Sequence, residues 1–316
     1  MMAEATVAFT RLSACWICGG SRLSRFHECR LDFSEYARQD PELASYSDRR
    51  VWIVRCLGCG FGQPQELPAL PRFFERMYDQ RWADEWIDRE FDARYKDLIF
   101  QTILRQLDRR LGRGVPRRLL DVGAHAGRFM SLSQRAGWEV EGLEVNPKTA
   151  ACAGRRTGAT VHRVGIDAIA AEGPRFTAVT LTDVLEHIPD PLHVLSSVVR
   201  LLLPGGVLAV KVPSGPAQLR KEQILSALDR SRPMSLVDNL VHVNHFSPQS
   251  LRLALELAGL NDITVAPGAP ELRDRGRWFR RAASNALRMT VYAAAHLAGT
   301  QSPVALNLQA YARRAA

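Results

Sequence analysis

Lysine is scarce in this 316-residue chain: it occurs only at Lys96, Lys148, Lys211 and Lys221, so arginine carries almost all the positive charge. The net charge of +9 then has two readings. It suits an acidic partner such as RNA, a nucleotide or anionic lipid, and it equally suits a GC-rich coding bias. Long apolar runs are also missing, since no stretch reaches the ~18 residues of a membrane span. Met1-Met2-Ala3-Glu4-Ala5 lacks the basic start and apolar core of a secretory leader. These absences lead to an expected cytoplasmic location, where thiols stay reduced. There is no internal repeat. The length allows two domains, or one large domain with an appendage.

Cysteine is sparse too, yet four of the six stand in two pairs of one form, Cys15-Trp16-Ile17-Cys18-Gly19 and Cys56-Leu57-Gly58-Cys59-Gly60. Two residues between thiolates let one tight turn present both sulfurs to an ion, and the glycine lets the backbone curl back toward sulfur. Cys15, Cys18, Cys56 and Cys59 are therefore expected to hold a structural Zn2+, since four thiolates leave no open position for water. Disulfides are disfavoured in a reducing compartment, and a redox pair would not need duplication. Cys29 and His27 are spare candidates, and Cys152 reads as a small buried side chain. Val51 to Val54 looks like the strand delivering the second pair. Residues 1–65 form the expected zinc-binding module, residues 1–14 of it a loose tail. Residues 66–110, with Phe73, Phe74, Tyr78, Trp82, Trp86, Phe91 and Tyr95, form a helical linker or cap, and residues 111–316 the main domain.

In that domain apolar strands alternate with helices: strands near 118–123, 138–144, 159–164, 176–182 and 206–212, a helix from Ser247 to Leu257 with Pro248 at its first position, and strands at 262–266 and 305–312. This is an α/β pattern. Leu119-Leu120-Asp121-Val122-Gly123-Ala124-His125-Ala126-Gly127 runs from strand through a glycine turn into a helix. Such a turn can cradle a nucleotide, with Gly123 admitting a close ligand and Gly127 letting the helix pack near the strand, or it can be an ordinary α/β turn. Glu144 follows about twenty residues later, where a carboxylate can accept both hydroxyls of a ribose.

Asp121–Gly127, Glu144, Asp183-Val184-Leu185-Glu186-His187 and Leu203-Pro204-Gly205-Gly206, in that order, resemble the class I S-adenosylmethionine-dependent methyltransferases. The resemblance covers roughly residues 95–316 and implies a Rossmann-like seven-stranded sheet. The family's loop usually reads Gly-x-Gly-x-Gly, and His125 stands at its middle glycine. The implied S-adenosylmethionine contacts are Asp121, Gly123, Ala124, Gly127, Glu144, Asp167 and Asp183. Asp167 would meet the adenine amine, with a plain helix cap as its other reading. A hydroxyl acceptor needs a base near neutral pH. His187, His242 and His245 are the candidates, each also readable as a structural histidine.

With its paired-cysteine module ahead of Pro71-Arg72-Phe73-Phe74-Glu75-Arg76-Met77-Tyr78, the chain is similar to bacterial methyltransferases of sugar, polysaccharide and secondary-metabolite pathways. O-methylation of a sugar, glycolipid or other small-molecule acceptor is the expected reaction. No Asn/Asp/Ser-Pro-Pro-aromatic motif and no Pro-Cys nucleophile is present, which argues against nucleic-acid base chemistry. An RNA methyltransferase using the zinc module, and a zinc-ribbon interaction protein with a degenerate cofactor fold, remain the alternatives. The stretch 271–300 interleaves arginines with Trp278, Phe279, Leu287, Met289 and Tyr292; it can be a lid, a packed helix or a peripheral membrane contact.

Overall fold

The central strand-forming runs, Leu119–Val122 and Phe176–Leu181, collect into one sheet in which they are buried on both faces. The computed structural model describes residues 7–79, 84–228, 239–299, 302 and 305–316, so Trp82 of the linker lies outside the described residues. Five short strands come first: β1 (Phe9–Arg11), β2 (Leu23–Arg30), β3 (Arg50–Cys56), β4 (Gly62–Pro64) and β5 (Glu66–Pro68). The antiparallel order β2-β3-β4 makes one small sheet, and β1 pairs with β5. The expected loose tail is thus corrected from Phe9 onward: Phe9 pairs with Pro68, and its ring sits under the Arg49 guanidinium and edge-on to Tyr46. An aromatic side chain with two such partners holds the strand.

The main sheet comprises β6 (Arg118–Val122), β7 (Glu139–Leu143), β8 (Val161–His162), β9 (Phe176–Thr182), β10 (Leu202–Pro213), β11 (Leu260–Pro267) and β12 (Asn307–Arg314). Its order is β11-β12-β10-β9-β6-β7-β8, with β12 antiparallel to both neighbours and the remaining pairs parallel. Alternate residues feed two cores, as strand period dictates. Leu120, Val179 and Leu181 join one, while Leu119, Ala178 and Ala209 face the helix Asp97–Leu111 in the other. The late helix begins where expected: Ser247 caps it by accepting from the Ser250 N–H, with Pro248 first. The third strand is shorter than expected, only Val161–His162. Strand order reverses between β6 and β9, and the crevice above that switch point is where open α/β sheets bind ligands.

Packing crosses the expected boundary at residue 65. Cys15, Ile17, Cys56, Cys59 and Phe61 lie in the same apolar core as Leu120 and Val179. The Phe61 ring meets Phe246 with centroids 5.1 Å apart. His245 and Gly62 exchange backbone hydrogen bonds of 2.9 and 3.0 Å.

Candidate active site

The glycine turn after β6 has a steric cause. Gly123 adopts φ +75°, and a Cβ there would lie 2.4 Å from Val184 Cγ2, so only glycine fits. Gly127, at φ +87°, would press its Cβ to 2.9 Å from Ala153 Cα, so it admits the helix Pro147–Thr157 rather than the strand. Close strand packing falls instead to Gly142 of β7, where a Cβ would meet Met130 Sδ at 2.8 Å. His125 takes the left-handed φ of +49°.

The Glu144 carboxylate ties this turn to the end of β7. Oε2 accepts from the His125 N–H and Oε1 from the Asn146 N–H, both at 2.9 Å. Each oxygen keeps a second lone pair, and the side chain lines the crevice. Burial raises its pKa. Asp121 is deeper; burial pushes its carboxyl up to about 7 although Thr180 Oγ1 donates to it at 2.8 Å.

A cavity of about 1490 Å³ fills the crevice. Of the expected cofactor contacts, Asp121, Gly123, Ala124, Glu144 and Asp183 line it, whereas Gly127 and Asp167 do not. Asp167 is half exposed at the start of a short helix, where it accepts from Ser197, Arg200 and His193. Its carboxylate is spent on that surface cluster, and the Ser197 and His193 contacts hold it below the usual carboxylate range.

Two lysines absent from the expected site converge on Asp183. Lys96 Nζ donates to Oδ2 at 2.8 Å, and Lys211 Nζ donates to Oδ1. Burial would raise the Asp183 pKa, but the two ammonium groups hold it well below the carboxylate range. Beside it, burial first and the Asp183 charge second push Glu186 up to about 8.

His187 and His242 stand together on the cavity wall, with ring centroids 4.8 Å apart and Tyr78 edge-on to His187. His187 Nδ1 lies 2.6 Å from the Val241 carbonyl, which can only accept. The neutral ring must therefore carry its proton on Nδ1 and its lone pair on Nε2. His242 Nδ1 pairs with the Gln218 amide at 2.7 Å; burial and the neighbouring His187 and His245 hold this ring well below its ordinary pKa, so it stays neutral. Ligand atoms of Glu186, His187 and His242 all lie within 4.8 Å of one another, close enough to share a cation.

His245 does not reach the cavity. Its side chain is fully buried, neither ring nitrogen has a hydrogen-bond partner among the described residues, and burial pushes its pKa down to about 3. The residue is clamped between Gly62 and Gly215: an added Cβ would collide with the His245 Cβ at the first and with its backbone at the second. A base must exchange protons with substrate, and this ring is not among the residues that line the cavity.

The four expected metal ligands do meet. Cys15 and Cys59 Sγ are 3.6 Å apart, Cys18 and Cys56 Sγ 3.5 Å, and all four sulfurs lie within 4.8 Å of one another. Those separations far exceed the ~2.05 Å of a disulfide and approach the ~3.8 Å edge of a tetrahedron with ~2.3 Å metal–sulfur bonds. The donor set fits a tetrahedral zinc ion. Cys29 and Cys152 are buried elsewhere.

A family profile described as "Methyltransferase domain" matches residues 91–265. Among curated proteins, a ubiquinone biosynthesis O-methyltransferase of Cereibacter sphaeroides is 35% identical over 120 residues, covering 35% of this chain and 49% of its own length. One of Xanthomonas campestris pv. campestris is 37% identical over 97 residues, covering 29% and 41%. The chain thus spans about half the length of the curated relatives it matches. Among solved structures, a Mesorhizobium loti S-adenosylmethionine-dependent methyltransferase aligns with 71% of this chain and 100% of its own, at TM-score 0.49 and 18% identity. Phosphoethanolamine N-methyltransferase 2 of Haemonchus contortus aligns with 92% and 68%, at TM-score 0.49 and 15% identity. The matched profile spans more than half of the residues and contains both the glycine turn and the strand-end carboxylates, and the chain therefore belongs to the methyltransferase-domain family, within the class I S-adenosylmethionine-dependent methyltransferases.

Proposed function

We propose that the chain transfers a methyl group from S-adenosylmethionine to a hydroxyl of a small-molecule acceptor bound in the same cavity. The donor's methyl leaves a cationic sulfur by in-line displacement, so the protein's task is to hold the nucleophile in line and remove its proton. Glu144 accepts the ribose hydroxyls, and Gly123 and Ala124 present backbone beside the cofactor. Asp121 stands behind that loop. The cavity exceeds the ~300–1,000 Å³ of a single-ligand pocket, which leaves room for an acceptor next to the cofactor.

His187 is the base in this reading. The observation that carries it is the Nδ1 contact to the Val241 carbonyl, which leaves the lone pair on Nε2 in a cavity-lining ring. His242 and Gln218 flank it as acceptor contacts. Two curated relatives are named O-methyltransferases, which supports oxygen as the nucleophile. The acceptor class remains a sugar, glycolipid or secondary-metabolite hydroxyl. The Cys15–Cys18–Cys56–Cys59 cluster is proposed to hold a structural zinc. Transfer of labelled methyl to fractionated cell extract tests this: label in a small-molecule or glycolipid fraction supports it, and label in RNA, or none at all, contradicts it.

A further inference from the structure

The helix Trp278–Ala298 is unusually bare for its length: of its 21 residues only Ala295 is buried. One face roofs the cavity through Ser284, Arg288, Val291, Tyr292 and Ala295. At 3.6 residues per turn the opposite face carries Trp278, Phe279, Ala282, Met289, Ala293 and Leu297. Trp278 is 75% exposed, Phe279 47%, Met289 40% and Leu297 91%. An outward face of a helix in water is ordinarily polar; this one has no charged side chain along its middle.

Charge is segregated around the same helix. From Arg275 to Ala316 the chain contains no Asp or Glu, while Arg275, Arg277, Arg280, Arg281 and Arg288 cluster at the helix start and first half. An apolar stripe with exposed arginines gathered at its N-terminal end has two needs, an apolar phase and negative charge. A two-fold contact with a second copy would offer this arginine cluster no counter-charge along the helix, since the same segment has no Asp or Glu. Nucleic acid would answer the arginines and leave the aromatic stripe wet. An anionic bilayer answers both. Among the described residues no helix is long and apolar enough to cross a membrane, so the geometry is that of an element lying on a surface.

We propose that the helix Trp278–Ala298 docks the protein on an anionic lipid surface, with Trp278, Phe279, Met289 and Leu297 in the headgroup–acyl boundary and the exposed Arg275, Arg277, Arg280 and Arg281 at its N-terminal end on the headgroups. The helix is about 30 Å long and about 10 Å thick, so docking sets the cavity one helix diameter from the bilayer. An acceptor with a lipid tail then reaches the site without crossing bulk water. That last step rests on the methyl-transfer reading, whereas the docking surface does not.

Full-length protein is sedimented with phosphatidylcholine vesicles and with vesicles containing about one-third phosphatidylglycerol. Salt-sensitive partition onto the anionic vesicles is expected. Trp278→Ser/Phe279→Ser/Leu297→Ser, none of which lines the cavity, is expected to weaken it at least about tenfold. Arg280→Glu/Arg281→Glu is expected to weaken it only where phosphatidylglycerol is present. Unchanged circular dichroism and melting temperature establish that each variant is folded. Equal binding of wild type to neutral and anionic vesicles, full retention by the triple variant, or a concentration-dependent dimer dissolved by that variant would each overturn the proposal.

Discussion

Lys96 Nζ donates to Asp183 Oδ2 across 2.8 Å, joining the residue before the helix Asp97–Leu111 to the residue after β9. With Lys211 on the other oxygen, one carboxylate bridges two ammonium groups at the floor of the cavity. Lys211 is only 3% exposed, so its charge has little solvent to fall back on.

Removing the shared partner should therefore be costly. Asp183→Ala leaves two cations facing each other without the carboxylate that bridges them, and a loss of up to about 3–5 kcal/mol is expected. Asp183→Asn, which keeps the acceptor oxygen, should lose less. Urea unfolding measures both, and a loss below about 1 kcal/mol would place the lysines elsewhere.

His187→Gln should cut turnover by roughly 10²–10⁴-fold while S-adenosylmethionine affinity stays unchanged. His245→Leu should keep turnover, because that ring lies outside the cavity, and should not lower stability, because it removes two buried nitrogens without partners. Steady-state kinetics decide the pair. Inactive His245→Leu with normal His187→Gln would reverse the assignment.

Asp121 makes a pH prediction of definite sign. Its folded pKa of about 7 lies above its ordinary 3.8, so the folded state holds a proton that the unfolded chain has released. Its contribution is complete below about pH 4 and is lost as pH rises toward 7. His125 and His245, pushed down to about 4 and 3, act in the opposite sense and lose stability as pH falls. Asp121→Asn isolates the acid: its melting temperature relative to wild type should climb steadily from pH 4 to 7. A pH-independent difference would mean that Asp121 ionises normally in the fold.

Much of the fold was legible because its signals are local. Apolar runs such as Leu119–Val122 and Phe176–Thr182, the Ser247-Pro248 helix start and the cysteine spacing each fix their own neighbourhood. The sheet strands and the four-cysteine cluster follow from them. What escaped was set by tertiary contact. Lys96 and Lys211 stand 115 residues apart and meet only because both reach the end of β9; the scarcity of lysine was a signal, yet composition alone cannot say where a residue points. His242 and His245 are three residues apart in one segment, and only packing against Gly62 and Gly215 decides that the second is buried away from the cavity. Asp167 has the right place in sequence, but Ser197, His193 and Arg200 turn it to the surface.

Cys56→Ser should release about one zinc per chain, measured by metal analysis. The damage should not stay in the module, because the Ser247 hydroxyl donates to the Cys59 carbonyl and Phe61 packs on Phe246. Hydrogen exchange in residues 241–247, which hold His242, is expected to rise on metal removal. Zinc-free wild type, or unchanged exchange there, would separate the cysteines from the site.

In the proposed function S-adenosylmethionine sits in the crevice above the β6–β9 switch point and is held there by Glu144. Calorimetric titration of the cofactor into wild type and Glu144→Ala decides whether it does. Saturable binding by wild type, weakened at least about thirtyfold in the variant through two lost charge-assisted hydrogen bonds, is the expected result. Equal affinity in the two proteins, or no binding by wild type, would contradict it.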